Sequence, residues 1–150
     1  MRYLTIVSLI TFLMAMGFIS CKRQVDKDLV TAAGEGDKRT VENLIKQGAN
    51  LDANANDDLT PLIAASKNGY GEVVKVLIKA GASVNEADAN DNTPLFWAAS
   101  EGHAEIVRML IESGANPNKR NSLNESPLHA AIERKHEEVA VILRKLGAKE

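Results

Sequence analysis

The sequence predicts an all-α solenoid of four stacked helix-turn-helix units with hairpin-like loops, and three observations predict it. The first is a period. Pro61, Pro94 and Pro127 lie 33 residues apart, and so do Gly48, Gly81, Gly114 and Gly147, each followed by an alanine. Leu29, Leu62, Leu95 and Leu128 keep the same step, as do Ala32, Ala65, Ala98 and Ala131, and Leu44, Leu77, Leu110 and Leu143. A fixed period of this length marks a stack of small units that cannot bury their apolar faces alone. The second is a start signal, a hydroxyl residue followed by proline, at Thr60-Pro61, Thr93-Pro94 and Ser126-Pro127. The third is helical spacing of apolar residues, as in Val73, Val74, Leu77 and Ile78.

The units are bounded at about 27–54, 55–87, 88–120 and 121–150. In the second, the Thr60 hydroxyl is placed to accept from an orphan N–H, and Pro61 has no N–H to lose at the first helical position. Asn68-Gly69 stops that helix. A second helix is predicted from Gly71 to Ala80, with Glu72 in its first turn and Lys79 in its last, both favourable to the helix dipole. Gly81 ends it. The third unit repeats the plan with Ile106, Val107, Leu110 and Ile111, and the fourth with Val139, Ile142 and Leu143. Alanines at 65, 98 and 131 let neighbouring helices approach closely. The terminal units depart as caps should. Lys27-Asp28 stands where later units start with hydroxyl and proline, Arg144 replaces Ile45, Ile78 and Ile111, and Lys135 replaces Gly36, Gly69 and Gly102. The stack is therefore expected to close at its last residue.

The start of the chain reads differently. Met1-Arg2 supply a positive beginning, Tyr3 to Ile19 carry no charge, and Lys22-Arg23 restore polarity. This is the pattern of a secretory signal over residues 1–20. Cys21 is the only cysteine and stands where the apolar run stops. Phe18-Ile19-Ser20-Cys21 resembles a bacterial lipobox, with Phe18 in place of the usual leucine. That resemblance implies lipidation of Cys21 and a membrane protein held in a bacterial cell envelope, facing the periplasm or the cell surface. A plain cleaved leader and an uncleaved anchor are the alternatives. Residues 21–26 are expected as a short tether, and no disulfide is available.

The recurring Thr-Pro-Leu, Ala-Ala, Gly, Val/Ile-Val-x-x-Leu-Ile, Gly-Ala and Asn resemble the ankyrin repeat across about residues 27–150, most fully in units two and three. His129 matches that family's histidine, whereas Ile63 and Phe96 replace it elsewhere. Asp58, Asp91 and Asn124 stand in for its hairpin glycine, a position these residue types tolerate. The resemblance implies a protein-binding stack with a concave groove. Loss of the histidines and glycines is expected to loosen the hydrogen bonds between loops. Trp97 is expected to pack between units, and Phe96 borders the groove.

Competing chemistries fail on spacing. Asp52-x-Asn54-x-Asn56 and Asp88-x-Asn90-x-Asn92 begin like calcium loops, but Asp57 and Thr93 fill the required glycine position, and Ile63 and Ala99 the required glutamate. His103, His129 and His136 are too few and too poorly spaced for a zinc site, so no metal or cofactor is expected. Gly34-x-Gly36 lacks the third glycine of a dinucleotide loop. No serine is placed beside an activating histidine and carboxylate, so no enzyme is expected. Asn124-Glu125-Ser126 fits a glycosylation acceptor but also forms the last hairpin. The formal charge of −2, with both signs mixed along the chain, excludes the basic stripe of a nucleic-acid binder.

Carried over from the family's geometry, the partner surface comprises Asn56, Asp57, Leu59, Lys67 and Asn68 in unit two. In unit three it comprises Ala89, Asn90, Asn92, Phe96, Ser100 and Glu101, and in unit four Ser122, Leu123, Glu125, Glu133 and Arg134. The expected role is a membrane-tethered, monomeric module that binds a protein partner. A periplasmic inhibitor or immunity factor masking a toxin or enzyme is the alternative.

Overall fold

A computed structural model describes residues 22–54 and 59–149. The leader, Cys21, and the hairpin residues Asn56, Asp57 and Asp58 lie outside the described residues. Eight helices are described: α1 (22–35), α2 (Lys38–Lys46), α3 (Pro61–Lys67), α4 (Gly71–Ala80), α5 (Pro94–Ser100), α6 (Ala104–Glu112), α7 (Pro127–Glu133) and α8 (Glu137–Lys145). There is no strand among the described residues. None of the described helices is long and apolar enough to cross a membrane.

The start signals work as their chemistry requires. The hydroxyls of Thr60, Thr93 and Ser126 accept from the backbone N–H of Ile63, Phe96 and His129 at 3.2, 3.2 and 3.1 Å. Gly81 takes φ +100°, the left-handed stop that ends α4. In the first unit Asp37 caps α2, its Oδ1 accepting from Thr40 N at 3.0 Å.

Helices α3, α5 and α7 stack side by side in one layer, and α2, α4, α6 and α8 in a second. The leucines of the 33-residue period fill the space between the layers. Leu29, Leu77, Leu95, Leu110 and Leu143 have no exposed surface, and Leu62 and Leu128 almost none. Ala65, Ala98 and Ala131 are wholly buried among them.

Asparagines of units two and three also clasp the unit that follows. Asn85 accepts from Asn116 N at 2.9 Å and donates to Gly114 O at 3.1 Å. One period later, Asn118 accepts from Lys149 N at 2.8 Å and donates to Gly147 O at 3.2 Å. The N-caps of α4, α6 and α8 are Tyr70, His103 and His136, none of which caps its helix with its side chain. Their rings lie instead on the preceding unit, over Gly36, Gly69 and Gly102.

Residues 22–26, within the stretch expected as a tether, are helical and run on into α1. Val25 packs against the core, Gln24 Nε2 donates to Asp28 at 2.7 Å, and Asp26 Oδ1 accepts from Asn50 N at 2.7 Å. These contacts stabilise the helical state over the extended one. At about 1.5 Å per residue the segment then spans less than half its extended length.

Candidate functional site

A hollow of about 390 Å³ opens on the loop side of the first-helix layer, between units three and four. Unit three supplies Asn90, Asn92, Phe96, Trp97 and Ser100 to its lining. Unit four supplies Asn121, Ser122, Leu123, Glu125, Ala130, Glu133 and Arg134.

The hairpins beside it are built on two side chains one period apart. Asp88 Oδ1 accepts from Asn90 N and Asn92 N, both at 2.9 Å, and Asp88 Oδ2 accepts from Asn92 Nδ2 at 3.1 Å. Asn121 Oδ1 accepts from Leu123 N at 3.0 Å and Glu125 N at 2.8 Å. The hairpins are joined by Asn121 Nδ2 donating to Asn92 Oδ1 at 2.9 Å and by Ser122 N donating to Asn90 O at 3.0 Å. This corrects the expected loosening between these loops. Asp91 and Asn124 adopt φ +60° and +64° in place of glycine, and one amide side-chain pair and one backbone pair supply the bonds between these loops.

The floor is aromatic. Phe96 and Trp97 meet edge to face with centroids 6.2 Å apart. Trp97 is half-buried, and Lys67 Nζ sits 4.1 Å from its ring centroid, within cation–π range. Phe96 is the more deeply buried of the two. The expectation was the reverse, and the reason is geometric. Adjacent positions on a helix point about 100° apart, and in α5 that turn sends position 96 inward and leaves position 97 open. Asn92 and Ser100, expected as exposed contacts, are also buried, because the neighbouring hairpin and helix cover them.

The rim is mixed. Leu123 is 77% exposed at the tip of the last hairpin. Arg134 Nη1 pairs with Glu101 Oε1 at 2.8 Å across the units, and Lys119 lies 3.9 Å from Asp91. Glu125, His129 and Glu133 place their ligand atoms within 4.8 Å of one another.

A family model described as ankyrin repeats (3 copies) matches residues 29–121 and again 90–149. The chain belongs to the ankyrin-repeat family. Its members are usually protein-interaction modules and not enzymes, so the ankyrin stack calls for a protein partner. None of the curated proteins compared with the chain matches it.

Of the anticipated ankyrin groove residues, Asn90, Asn92, Phe96, Ser100, Ser122, Leu123, Glu125, Glu133 and Arg134 converge on the hollow. Lys67 reaches the same floor through Trp97, and Glu101 joins the rim through Arg134. Ala89 is exposed and Leu59 half-buried, and neither lines the hollow. Asn68 is spent within the stack, its Nδ2 donating to Gly34 O at 2.7 Å. Asn56 and Asp57 are outside the described residues. Trp97, Asn121 and Ala130 were missed as lining residues. Asn121 had a visible signal, since it stands one period after Asp88.

Proposed function

We propose that this ankyrin stack is a membrane-tethered module of a bacterial cell envelope that holds a protein partner in the hollow between units three and four. The observation that carries the reading is the pairing of a half-buried Trp97 floor with an exposed Leu123 rim. Partly open aromatics beside apolar points are where binding energy concentrates in protein interfaces, and a rim of charged pairs suits the polar border of such an interface. The apolar leader and Cys21 support lipid attachment. More than one acyl chain on that cysteine would hold the module stably at a membrane. It would act there as a monomer.

Two measurements test this. Affinity capture from envelope extract with the intact chain should enrich a partner, and Leu123→Asp should lose that partner with no change in melting temperature. Equal capture by the variant would remove the hollow from the interface. Separately, Cys21→Ala should move the protein from the membrane fraction to the soluble envelope fraction. Retention in the membrane would point to an uncleaved helix.

A further inference from the structure

Glu125, His129 and Glu133 follow one another at a step of four residues. Residues four apart on a helix share a face. Glu125 precedes the N-cap Ser126, and the hairpin brings its carboxylate over the face of α7 that carries the other two. We propose that these three side chains form a site for one divalent transition-metal ion of the zinc class, at the edge of the hollow, where Glu125 and Glu133 line it and His129 lines the neighbouring pocket.

The donor chemistry selects the class. One imidazole nitrogen and two carboxylate oxygens suit zinc and its neighbours, whereas calcium and magnesium favour oxygen-only sets. Zinc holds nitrogen and oxygen at about 2.0–2.2 Å, which sets tetrahedral ligands about 3.4 Å apart. The present separations, within 4.8 Å, close to that value by small rotations of side chains that are exposed or half-buried. Three protein donors leave a fourth position for water or for a donor from a molecule in the hollow.

The local electrostatics point the same way. Two acids nearby are matched with cations: Glu101 with Arg134, and Asp91 with Lys119. Glu125 and Glu133 converge without a paired lysine or arginine among the described residues. Converging carboxylates oppose one another's ionised forms, and a cation between them relieves this. Glu125 is also held from behind, since Asn121 Nδ2 donates to its Oε2 at 3.0 Å. Such outer hydrogen bonds orient a ligating carboxylate.

The repeat supplies an internal control. The same three positions are Leu59, Ile63 and Lys67 in unit two, and Asn92, Phe96 and Ser100 in unit three. The fold does not require metal donors there, and only the fourth unit supplies all three.

The test is calorimetric titration of ZnCl₂ into the full chain, held in mild detergent and free of any histidine tag. One ion should bind per chain with micromolar affinity. His129→Ala, and separately the double variant Glu125→Gln/Glu133→Gln, should each weaken binding by at least about tenfold. Glu105→Gln, an exposed acid remote from the site, should leave it unchanged. Zinc should raise the melting temperature of the wild type and not that of His129→Ala. In NMR spectra the His129 ring should shift before those of His103 and His136. Absence of saturable zinc binding would overturn the assignment. So would affinity that survives either variant set, earlier perturbation of His103 or His136, or tighter binding of Ca²⁺ than of Zn²⁺. Circular dichroism of each variant establishes that it is folded before titration.

Discussion

Trp97 Nε1 donates to Asp88 Oδ2 at 2.9 Å, tying the floor of the groove to the hairpin that walls it. The same carboxylate, 8% exposed, organises the hairpin through three further hydrogen bonds. Asp88→Ala leaves buried donors without partners, which costs about 2–3 kcal/mol. Urea denaturation should show that loss, and emission from the single tryptophan should shift to longer wavelength as the indole is released. A variant with unchanged stability and emission would show that the hairpin holds its shape without the carboxylate.

Lys135 and Gly102 occupy the same position one period apart and differ in what covers them. Lys135 sits at φ +63°, a conformation that side chains disfavour. Lys135→Gly should therefore stabilise the chain by about 1 kcal/mol. At Gly102 a Cβ would lie 2.5 Å from the His136 ring, so Gly102→Ala adds a collision to the backbone strain and should cost at least about 2 kcal/mol. Chemical denaturation measures both. Equal and small effects would mean that the ring moves aside freely.

Reversing Lys67, Glu101 and Arg134 together would disturb contacts within the stack as well as any partner. Glu101 and Arg134 already pair with each other at 2.8 Å. The exchange Glu101→Arg with Arg134→Glu keeps that pair while inverting the charge pattern a partner meets. Melting temperature should stay constant and partner capture should fall, mainly through the association rate. Capture equal to wild type would place the partner elsewhere on the stack.

The acid side of the stability profile should depend on Asp37. Its carboxyl is held below the ordinary carboxylate value, first by the Thr40 hydroxyl and then by the Thr40 N–H. A lowered folded-state pKa means a contribution fully present above the unfolded value, about 3.9, and lost as pH falls through the lower folded value. The difference in stability between wild type and Asp37→Asn should shrink as the pH is lowered through that window. A difference constant with pH would assign the cap to geometry alone.

Helix pairs were legible because period and start chemistry agree. Thr60-Pro61 opens α3, and Gly71 to Ala80 is α4 as its apolar spacing and terminal glycine indicate. The groove was legible to the level of the unit and not of the side chain. Whether position 96 or 97 faces out depends on how α5 rolls against α3 and α7, and periodicity within a seven-residue helix does not define that roll. Asn92 and Ser100 read as polar and therefore open, yet a hydrogen-bonded neighbour buries them. The cluster of Glu125, His129 and Glu133 was hidden because its first member lies outside the helix. Its step of four was the available signal.

The rings of Tyr70, His103 and His136 lie like roof tiles, each overlapping the unit laid before it. Overlap in one direction gives the array a polarity that its repeated shape conceals. The bend of each unit is covered only by a ring that the following unit supplies, so the shelter of one unit depends on the presence of the next. At the corresponding place in the last described unit Lys135 is exposed, so the overlap stops with His136 over Gly102.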